Sequence, residues 1–200
     1  MSAADRATDV DVARAETVLA LPADAVRAFL GDAERLFRLN PQLAIERWES
    51  RARGFRLAAF NESNGRRIDT EAETGTADGA LVVSYANSLK LETRVMAEAV
   101  PEGVRLVVTE HYPRIDDADD PRVADVDKSL VPWVMAIRRH LLARRRWGRL
   151  PLFPLWRWWN EGFMLSMAPR SRRIVRLLVW VTVLEFMVFL GAVVVLRLAA

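Results

Sequence analysis

The C-terminal segment 174–196 constrains the fold of this chain more than any other part of the sequence. It reads IVRLLVWVTVLEFMVFLGAVVVL, and within residues 177–196 only three residues interrupt the apolar run: Thr182, Glu185 and Gly191. A helix of about 20 residues crosses the roughly 30 Å hydrocarbon core of a bilayer. The alternative, a core helix of a soluble domain, would carry a polar stripe, and this segment carries none. We therefore predict a transmembrane helix.

The charges around this segment predict its orientation. Arginines are concentrated on its N-terminal side, and only Arg197 follows it. By the positive-inside rule, the part of the chain that precedes the span lies in the cytoplasm. The polar N-terminus, MSAADRATDVDVARAE, lacks the apolar core of a signal peptide. The sequence thus predicts a single-pass protein of the inner (cytoplasmic) membrane, with a cytoplasmic N-terminal domain and a short tail, 197–200, beyond the span.

The small net charge of the chain conceals two parts of opposite sign. Residues 1–128 hold 17 basic and 24 acidic residues, a net charge of −7, whereas residues 129–200 hold 12 and 2, a net charge of +10. An acidic domain repels nucleic-acid phosphates, and no nucleic-acid-binding motif is present, so we predict no nucleic-acid partner. Arginines beside an apolar span instead favour anionic headgroups, which makes membrane lipids the expected partner of the basic part.

The scarcity of metal-binding side chains excludes several kinds of site. The chain has no cysteine, which rules out disulfides, thiol nucleophiles and cysteine-ligated metals, and its only histidines are His111 and His140. One acid-rich stretch, RIDDADDPRVADVD at 114–127, lacks the glycine and the terminal glutamate of an EF-hand calcium loop. We interpret it as a solvated connector and predict neither a metal nor a cofactor.

Residues 148–173, between the soluble part and the span, are rich in aromatic and basic side chains. Amphipathic rings and arginines favour the headgroup layer of a membrane. We therefore predict a membrane interface composed of this segment and the arginines just before it, with the members Arg144, Arg145, Arg146, Trp156, Trp158, Trp159, Arg172 and Arg173. The alternative is an aromatic box that stacks on a ligand.

Residues 9–147 have the pattern of a single α+β domain, preceded by a polar segment, 1–8, that we predict to be disordered. A strand over 10–19 is followed by two short helices, one over 25–30 and one from Asp32 to about Leu39. Period-two alternation and turn signals such as Asn64-Gly65 and Asp78-Gly79 then predict antiparallel strands. These strands are Leu43–Ser50, Gly54–Asn61, Arg66–Thr76, Ala80–Asn87, Leu89–Val100 and Val104–Tyr112. A helix with one apolar stripe follows over 129–147.

Three stretches of this domain carry a family resemblance. They are ARAETVLALPADAVRAFLGDAERLFRLNP, LKLETRVMAEAVPEGVRLVVTEHYP and SLVPWVMAIRRHL. The opening motif is matched by Pro22, Asp24, Val26, Asp32, Asn40 and Pro41. In these residues the chain resembles the SRPBCC, or START-like helix-grip, superfamily, which includes polyketide cyclases and coenzyme Q-binding proteins. The resemblance implies an α+β helix-grip fold, in which a curved seven-stranded antiparallel sheet wraps around a long helix, and the transmembrane helix is an addition to it.

A helix-grip fold leaves an apolar cavity between the sheet and the long helix, and such cavities bind hydrophobic molecules. The candidate wall residues are Trp48, Phe55, Phe60, Tyr85, Trp133 and Ile137, and each of them is equally suited to the plain core. Cyclases of the superfamily use polar groups inside the cavity, for which the candidates are Glu110, His111, Tyr112, Tyr85 and Arg94. Strand alternation places Glu110 and Tyr112 opposite to His111. Because these residues form no nucleophile–base set, we assign no catalytic residue.

A permanent membrane anchor excludes a carrier that leaves the bilayer. We therefore expect a membrane-held module that binds a lipid, quinone or isoprenoid and acts as an accessory subunit of a membrane protein complex. The alternative is a cyclase or dehydratase with a lipophilic substrate. Glu185 lies near the middle of the span, where an ionisable group is costly and usually faces protein. It predicts contact with an integral-membrane partner, and Gly191 would allow a helix to approach closely.

Overall fold

The computed structural model describes residues 10–117 and 119–199, so the segment 1–8 lies outside the described residues. Strand β1 (Val10–Leu19) is followed by helices α1 (Ala23–Leu30) and α2 (Ala33–Arg38). Six strands come next: β2 (Leu43–Arg51), β3 (Gly54–Asn61), β4 (Arg66–Ala77), β5 (Ala80–Ala86), β6 (Glu92–Val100) and β7 (Gly103–Pro113). The remaining elements are a 3-10 turn (Pro121–Asp125), α3 (Leu130–Trp147), α4 (Phe153–Arg157), a π-helical turn (Trp158–Met164) and α5 (Pro169–Ala199).

The seven strands form one antiparallel sheet in the order β1-β7-β6-β5-β4-β3-β2. Alternation along each strand gives the sheet a buried face and an outer face, as in β3, where Phe55, Leu57 and Ala59 are buried. Helix α3 packs on β1 and β7, α1 packs on β6 and β7, and α2 packs on β2. The predicted helix-grip architecture of the α+β class is therefore confirmed.

At two turns the backbone conformation requires particular residues. Asp78 and Gly79 join β4 to β5 with φ angles of 52° and 75°, the left-handed pair that a two-residue hairpin turn requires. Gly103, at the start of β7, has φ of 134°, and a Cβ at this position would lie 2.2 Å from the carbonyl oxygen of Leu19. Only glycine allows the backbone to pass β1 at this distance.

Two hydrogen bonds connect the short helices to the long one. The indole N–H of Trp133 in α3 donates to the carbonyl oxygen of Leu36 in α2 at 2.8 Å. The side-chain amide of Asn40, which follows α2, donates to Ser129 Oγ at 2.7 Å. All four residues are buried, so the end of α2 is fixed against the start of α3.

Strand β6 begins later than the sequence predicted. Alternation predicted a start at Leu89, but the strand begins at Glu92. Asn87 adopts a φ of 56°, and the backbone N–H of Lys90 donates to Ser88 Oγ at 3.2 Å, so residues 87–90 form a turn of their own. This turn breaks the alternation and directs the Lys90 side chain inward.

Helix α5 has 31 residues, a length of about 46 Å at 1.5 Å per residue. Its most apolar stretch has a mean hydropathy of 2.5, and no part of this stretch is buried in the protein. A core helix of a soluble domain would be mostly buried, so the soluble alternative does not fit. Helix α5 is long and apolar enough to cross a membrane.

Candidate functional site

A cavity of about 350 Å³ lies between the buried face of the sheet and helices α2 and α3. Its apolar walls are Phe37, Leu43, Leu57, Ile68, Leu89 and Trp133. Its polar lining includes Asn40, Asn61, Thr70, Tyr85, Lys90, Tyr112 and Asp127. Apolar walls with a few convergent polar groups are typical of a small-molecule site.

One side of the cavity is formed by a buried ion cluster centred on Lys90. The ammonium group contacts Glu110 Oε1 and donates to Asp127 Oδ2, the latter at 2.9 Å. Tyr112 donates its hydroxyl hydrogen to Glu110 Oε2 at 2.7 Å. Glu110 is fully buried, and the Lys90 and Asp127 side chains are 15% and 10% exposed. Charges are stable at this depth only when they are paired and hydrogen-bonded, as these are.

The electrostatics of the cluster keep Lys90 and Asp127 charged. Burial by itself would lower the pKa of Lys90, but the charges of Glu110 and Asp127 outweigh it and raise the pKa well above its usual value. Burial by itself would raise the pKa of Asp127, but the charge of Lys90 and hydrogen bonds from Ser129 and Lys90 lower it. Burial also raises the pKa of the Tyr112 hydroxyl, which therefore remains a proton donor.

This arrangement favours binding over proton transfer. Both carboxylate oxygens of Glu110 are engaged, one by Lys90 and the other by Tyr112. A charged lysine is a poor nucleophile and a poor base. Within residues 10–117 and 119–199, no three His, Asp or Glu side chains are grouped so that they could hold a metal ion.

The predicted wall residues divide between the cavity and the core beside it. Tyr85 and Trp133 line the cavity. Phe55 and Ile137 are buried in the hydrophobic core. Trp48 is partly buried and stacks on Phe55, with ring centroids 4.0 Å apart.

Phe60 departs from the prediction. Leu57 and Ala59, in the same strand β3, are buried and face the core. Phe60 directly follows Ala59 and is only partly buried. Because successive side chains of a strand point to opposite faces, Phe60 lies on the outer face of the sheet. It does not line the cavity.

The catalytic candidates are separated as strand alternation requires. Glu110 and Tyr112 are buried on the cavity side. His111 lies on the other face, with its Nδ1 atom 3.7 Å from Glu92 Oε1. Arg94 is on that face too and pairs with Glu92 rather than with Glu110. His111 and Arg94 therefore have no access to the cavity.

Lys90, Asp127 and Asn61 were not predicted to be site residues. For Lys90 a signal was available, since it is one of only two lysines among the 29 basic residues of the chain, and arginine is used almost everywhere else. Lysine is a compact point charge that two carboxylates can share in a small space. Asp127 is the last of several nearby aspartates, and no pattern separates it from the others.

The aromatic segment after α3 is attached to the domain by Glu161. This carboxylate, whose side chain is 6% exposed, lies 3.0 Å from Arg144 Nη1, 3.6 Å from Arg35 Nη1 and 3.4 Å from His140 Nε2. Desolvation lowers the pKa of His140 to about 4, so this histidine is neutral at neutral pH. Trp156 is buried, with its ring centroid 5.8 Å from that of His140. We call these five residues the docking cluster.

The structure corrects the prediction for Arg172. The residue is 8% exposed, and its guanidinium group donates to three backbone carbonyl oxygens. These belong to Arg38 at 2.5 Å, Met167 at 2.8 Å and Leu165 at 3.1 Å. Arg172 therefore fixes the start of α5 to the end of α2 and is not available to a lipid headgroup.

The other predicted interface residues differ in exposure. Arg145, Arg146 and Trp158 are exposed, Trp159 is partly buried, and Arg144 belongs to the docking cluster. Arg173 is exposed and donates to the carbonyl oxygen of Pro41 at 2.8 Å and to Glu62 Oε2 at 3.0 Å. The segment is thus partly folded onto the domain and partly open to its surroundings.

Comparison with solved structures agrees with the helix-grip architecture described above. The aromatase/cyclase ZhuI from a Streptomyces species superimposes with a TM-score of 0.54 and 15% identity, over 68% of this chain and 96% of its own. The protein TTHA0849 from Thermus thermophilus gives 0.51 and 16%, over 66% and 98%. At this identity the likeness shows the fold alone, which is the helix-grip fold. No protein-family profile and no curated protein matches the chain.

Proposed function

We propose that this chain is a membrane-anchored helix-grip module that binds a lipophilic small molecule, such as a lipid, quinone or isoprenoid, in its cavity. The observation that carries this proposal is the cavity of about 350 Å³, whose lining combines apolar side chains with polar groups and a cluster of paired charges. An apolar molecule placed there would be removed from water, and this removal is the main driving force for binding. The paired cluster requires no counter-ion from the ligand.

The attachment of α5 supports a ligand that comes from the membrane. Arg173, in the first turns of α5, binds Pro41 and Glu62. The chain neighbours of these two residues, Asn40 and Asn61, line the cavity. With α5 in a bilayer, this part of the cavity lining would lie near the membrane surface. A lipophilic molecule would then have a short path from the membrane into the cavity.

The arginines that precede the span support the orientation predicted from the sequence. The domain would lie at the cytoplasmic side of the inner membrane, with a single span. Exposed Arg145 and Arg146 and the exposed ring of Trp158 would contact lipid headgroups. In this arrangement the domain stays at one membrane face.

A cyclase or dehydratase acting on a lipophilic substrate is the second candidate, and the one observation in its favour is that Tyr112 and Glu110 are on the cavity side. A general base needs a carboxylate that can accept a proton from the substrate. Glu110 is already bound by Lys90 and Tyr112, so the binding function is the better supported of the two.

Lipid analysis of the purified protein tests the binding function. The full-length protein, extracted in a mild detergent, is expected to retain about one lipophilic molecule per chain, identified by mass spectrometry of an organic extract. Leu57→Trp places a bulky indole ring on the cavity wall and is expected to abolish this retention. Ala58→Trp, the matched control, alters the outer face of the same strand and should leave retention unchanged. Equal extracts from both variants would contradict the proposal.

We also propose that the module is an accessory subunit, and that Glu185 contacts a polar group on a partner's transmembrane helix. Replacing Glu185 with leucine is expected to reduce co-purification of that partner about fivefold, because interhelical polar contacts contribute about 1–2 kcal/mol. The measurement is quantitative mass spectrometry of native membrane pull-downs. Thr182→Leu, in the same span, serves as the control. Unchanged partner levels in Glu185→Leu would remove the proposed contact.

A further inference from the structure

Four asparagines line the cavity, and three of them use the same local hydrogen bond. In Asn40, Asn61 and Asn64 the Oδ1 atom accepts the backbone N–H of the residue two positions later, at 2.9–3.1 Å. This bond fixes which end of the amide is the oxygen. In each case the Nδ2 group is therefore left to donate to something else.

Two of the three Nδ2 groups have a partner in the protein. Asn40 donates to Ser129 Oγ at 2.7 Å, and Asn64 donates to the carbonyl oxygen of Asp125 at 2.8 Å. The Nδ2 of Asn61 has no partner within residues 10–117 and 119–199, although the residue is only 1% exposed. Buried polar groups are almost always hydrogen-bonded, so this exception needs an explanation.

The charges around the cavity define what the missing acceptor is. Each cation that lines the cavity is paired with a carboxylate. The pairs are Lys90 with Glu110 and Asp127, Arg66 with Asp125, and Arg67 with Glu46. No lining cation in the described part of the chain is left for an anionic headgroup. A neutral oxygen acceptor therefore fits the site, and a carboxylate or a phosphate does not.

We infer that Asn61 is a ligand-binding residue whose Nδ2 donates to a carbonyl oxygen at one end of an otherwise apolar ligand. The inference rests on the proposed function and specifies the class of ligand: a neutral, lipophilic carbonyl compound small enough for about 350 Å³. The apolar walls contribute most of the affinity, and Asn61 selects the oxygen. A hydrocarbon of the same shape leaves the amide unpaired and binds less tightly.

A matched pair of probes tests this inference. 2-Acetylnaphthalene carries a carbonyl group, and 2-isopropylnaphthalene has nearly the same shape without one. Equilibrium dialysis against the full-length protein in phosphatidylcholine nanodiscs, with empty nanodiscs as the partition baseline, gives both affinities. We expect the protein to bind the ketone about tenfold more tightly than the hydrocarbon.

Variants then assign the preference to one amide. Asn61→Asp retains the oxygen that accepts from Ser63 and removes the donor, so it should abolish the tenfold preference while hydrocarbon binding persists. Asn64→Asp makes the same change in an amide whose donor is already used, and should keep the preference. Asn61→Leu is the second donor-free variant, for the case that Asn61→Asp does not fold.

The possible results separate the inference from the function on which it rests. Equal affinities for the two probes, or a preference that survives both Asn61 variants, would overturn the role of Asn61 and leave the binding function standing. Binding of neither probe above the baseline of empty nanodiscs would instead count against the proposed function. Loss of the preference in Asn64→Asp as well would overturn the assignment to a single amide.

Discussion

Replacing Lys90 with methionine is expected to destabilise the domain by about 3–5 kcal/mol, the largest effect that we predict. The substitution retains a side chain of similar length but removes the charge that Glu110 and Asp127 share. The fully buried Glu110 and the largely buried Asp127 would then be left without a cation between them. The measurement is denaturant unfolding of the full-length protein in detergent micelles, followed by tryptophan fluorescence.

Two variants show that the effect arises from the uncompensated charges. Lys128→Met removes the only other lysine, which is exposed, and should change stability by less than about 0.5 kcal/mol. Adding Glu110→Gln and Asp127→Asn to Lys90→Met replaces the carboxylates by neutral amides and should restore most of the lost stability. A triple variant as unstable as Lys90→Met itself would show that the loss comes from packing and not from charge.

Replacing Glu161 with leucine is expected to release the aromatic segment from the domain. The carboxylate pairs with Arg144 and Arg35 and lies beside His140, and its removal leaves the two arginines without their shared counter-charge. Because the two arginines are each about a third exposed, water compensates part of the loss, and we expect a cost of about 2 kcal/mol. Trypsin cleavage after Arg149 and Arg157 should become at least about tenfold faster.

The control for this prediction is Glu102→Leu, which removes an exposed glutamate from the turn between β6 and β7. It should leave cleavage at Arg149 and Arg157 unchanged. Glu161→Gln retains an oxygen that can accept from Arg144 and should give an intermediate rate. If Glu161→Leu were cleaved as slowly as the unaltered protein, the docking cluster would not be what attaches this segment.

Most of the fold was predictable because its signals are local. Alternation in β3 and β7, the Asp78-Gly79 turn and the apolar stripe of α3 each depend on residues close together in the chain. The prediction was wrong where a local turn overrode the alternation, at residues 87–90, and the strand start moved from Leu89 to Glu92. It was also wrong for Phe60, although alternation along β3 contained the correct answer.

The candidate site was far less predictable. Tyr85 and Trp133 were expected in the cavity, but the contacts that distinguish the site join residues far apart in the chain, such as Lys90 with Asp127. An unpaired amide such as that of Asn61 cannot be recognised before its surroundings are known. The same holds for Arg172, which as a sequence feature is one more arginine beside an apolar span, and in the structure binds the carbonyl oxygen of Arg38.

The sequence by itself determined the class of fold, the order of its elements and the apolar C-terminal helix, because periodicity and composition are properties of continuous segments. Only the tertiary structure decided which charged and polar side chains are buried together, and which of them is left without a partner. The physical reason is that the cost of burying a polar group depends on what lies opposite to it. In this chain, what lies opposite comes from strands and loops distant in the sequence.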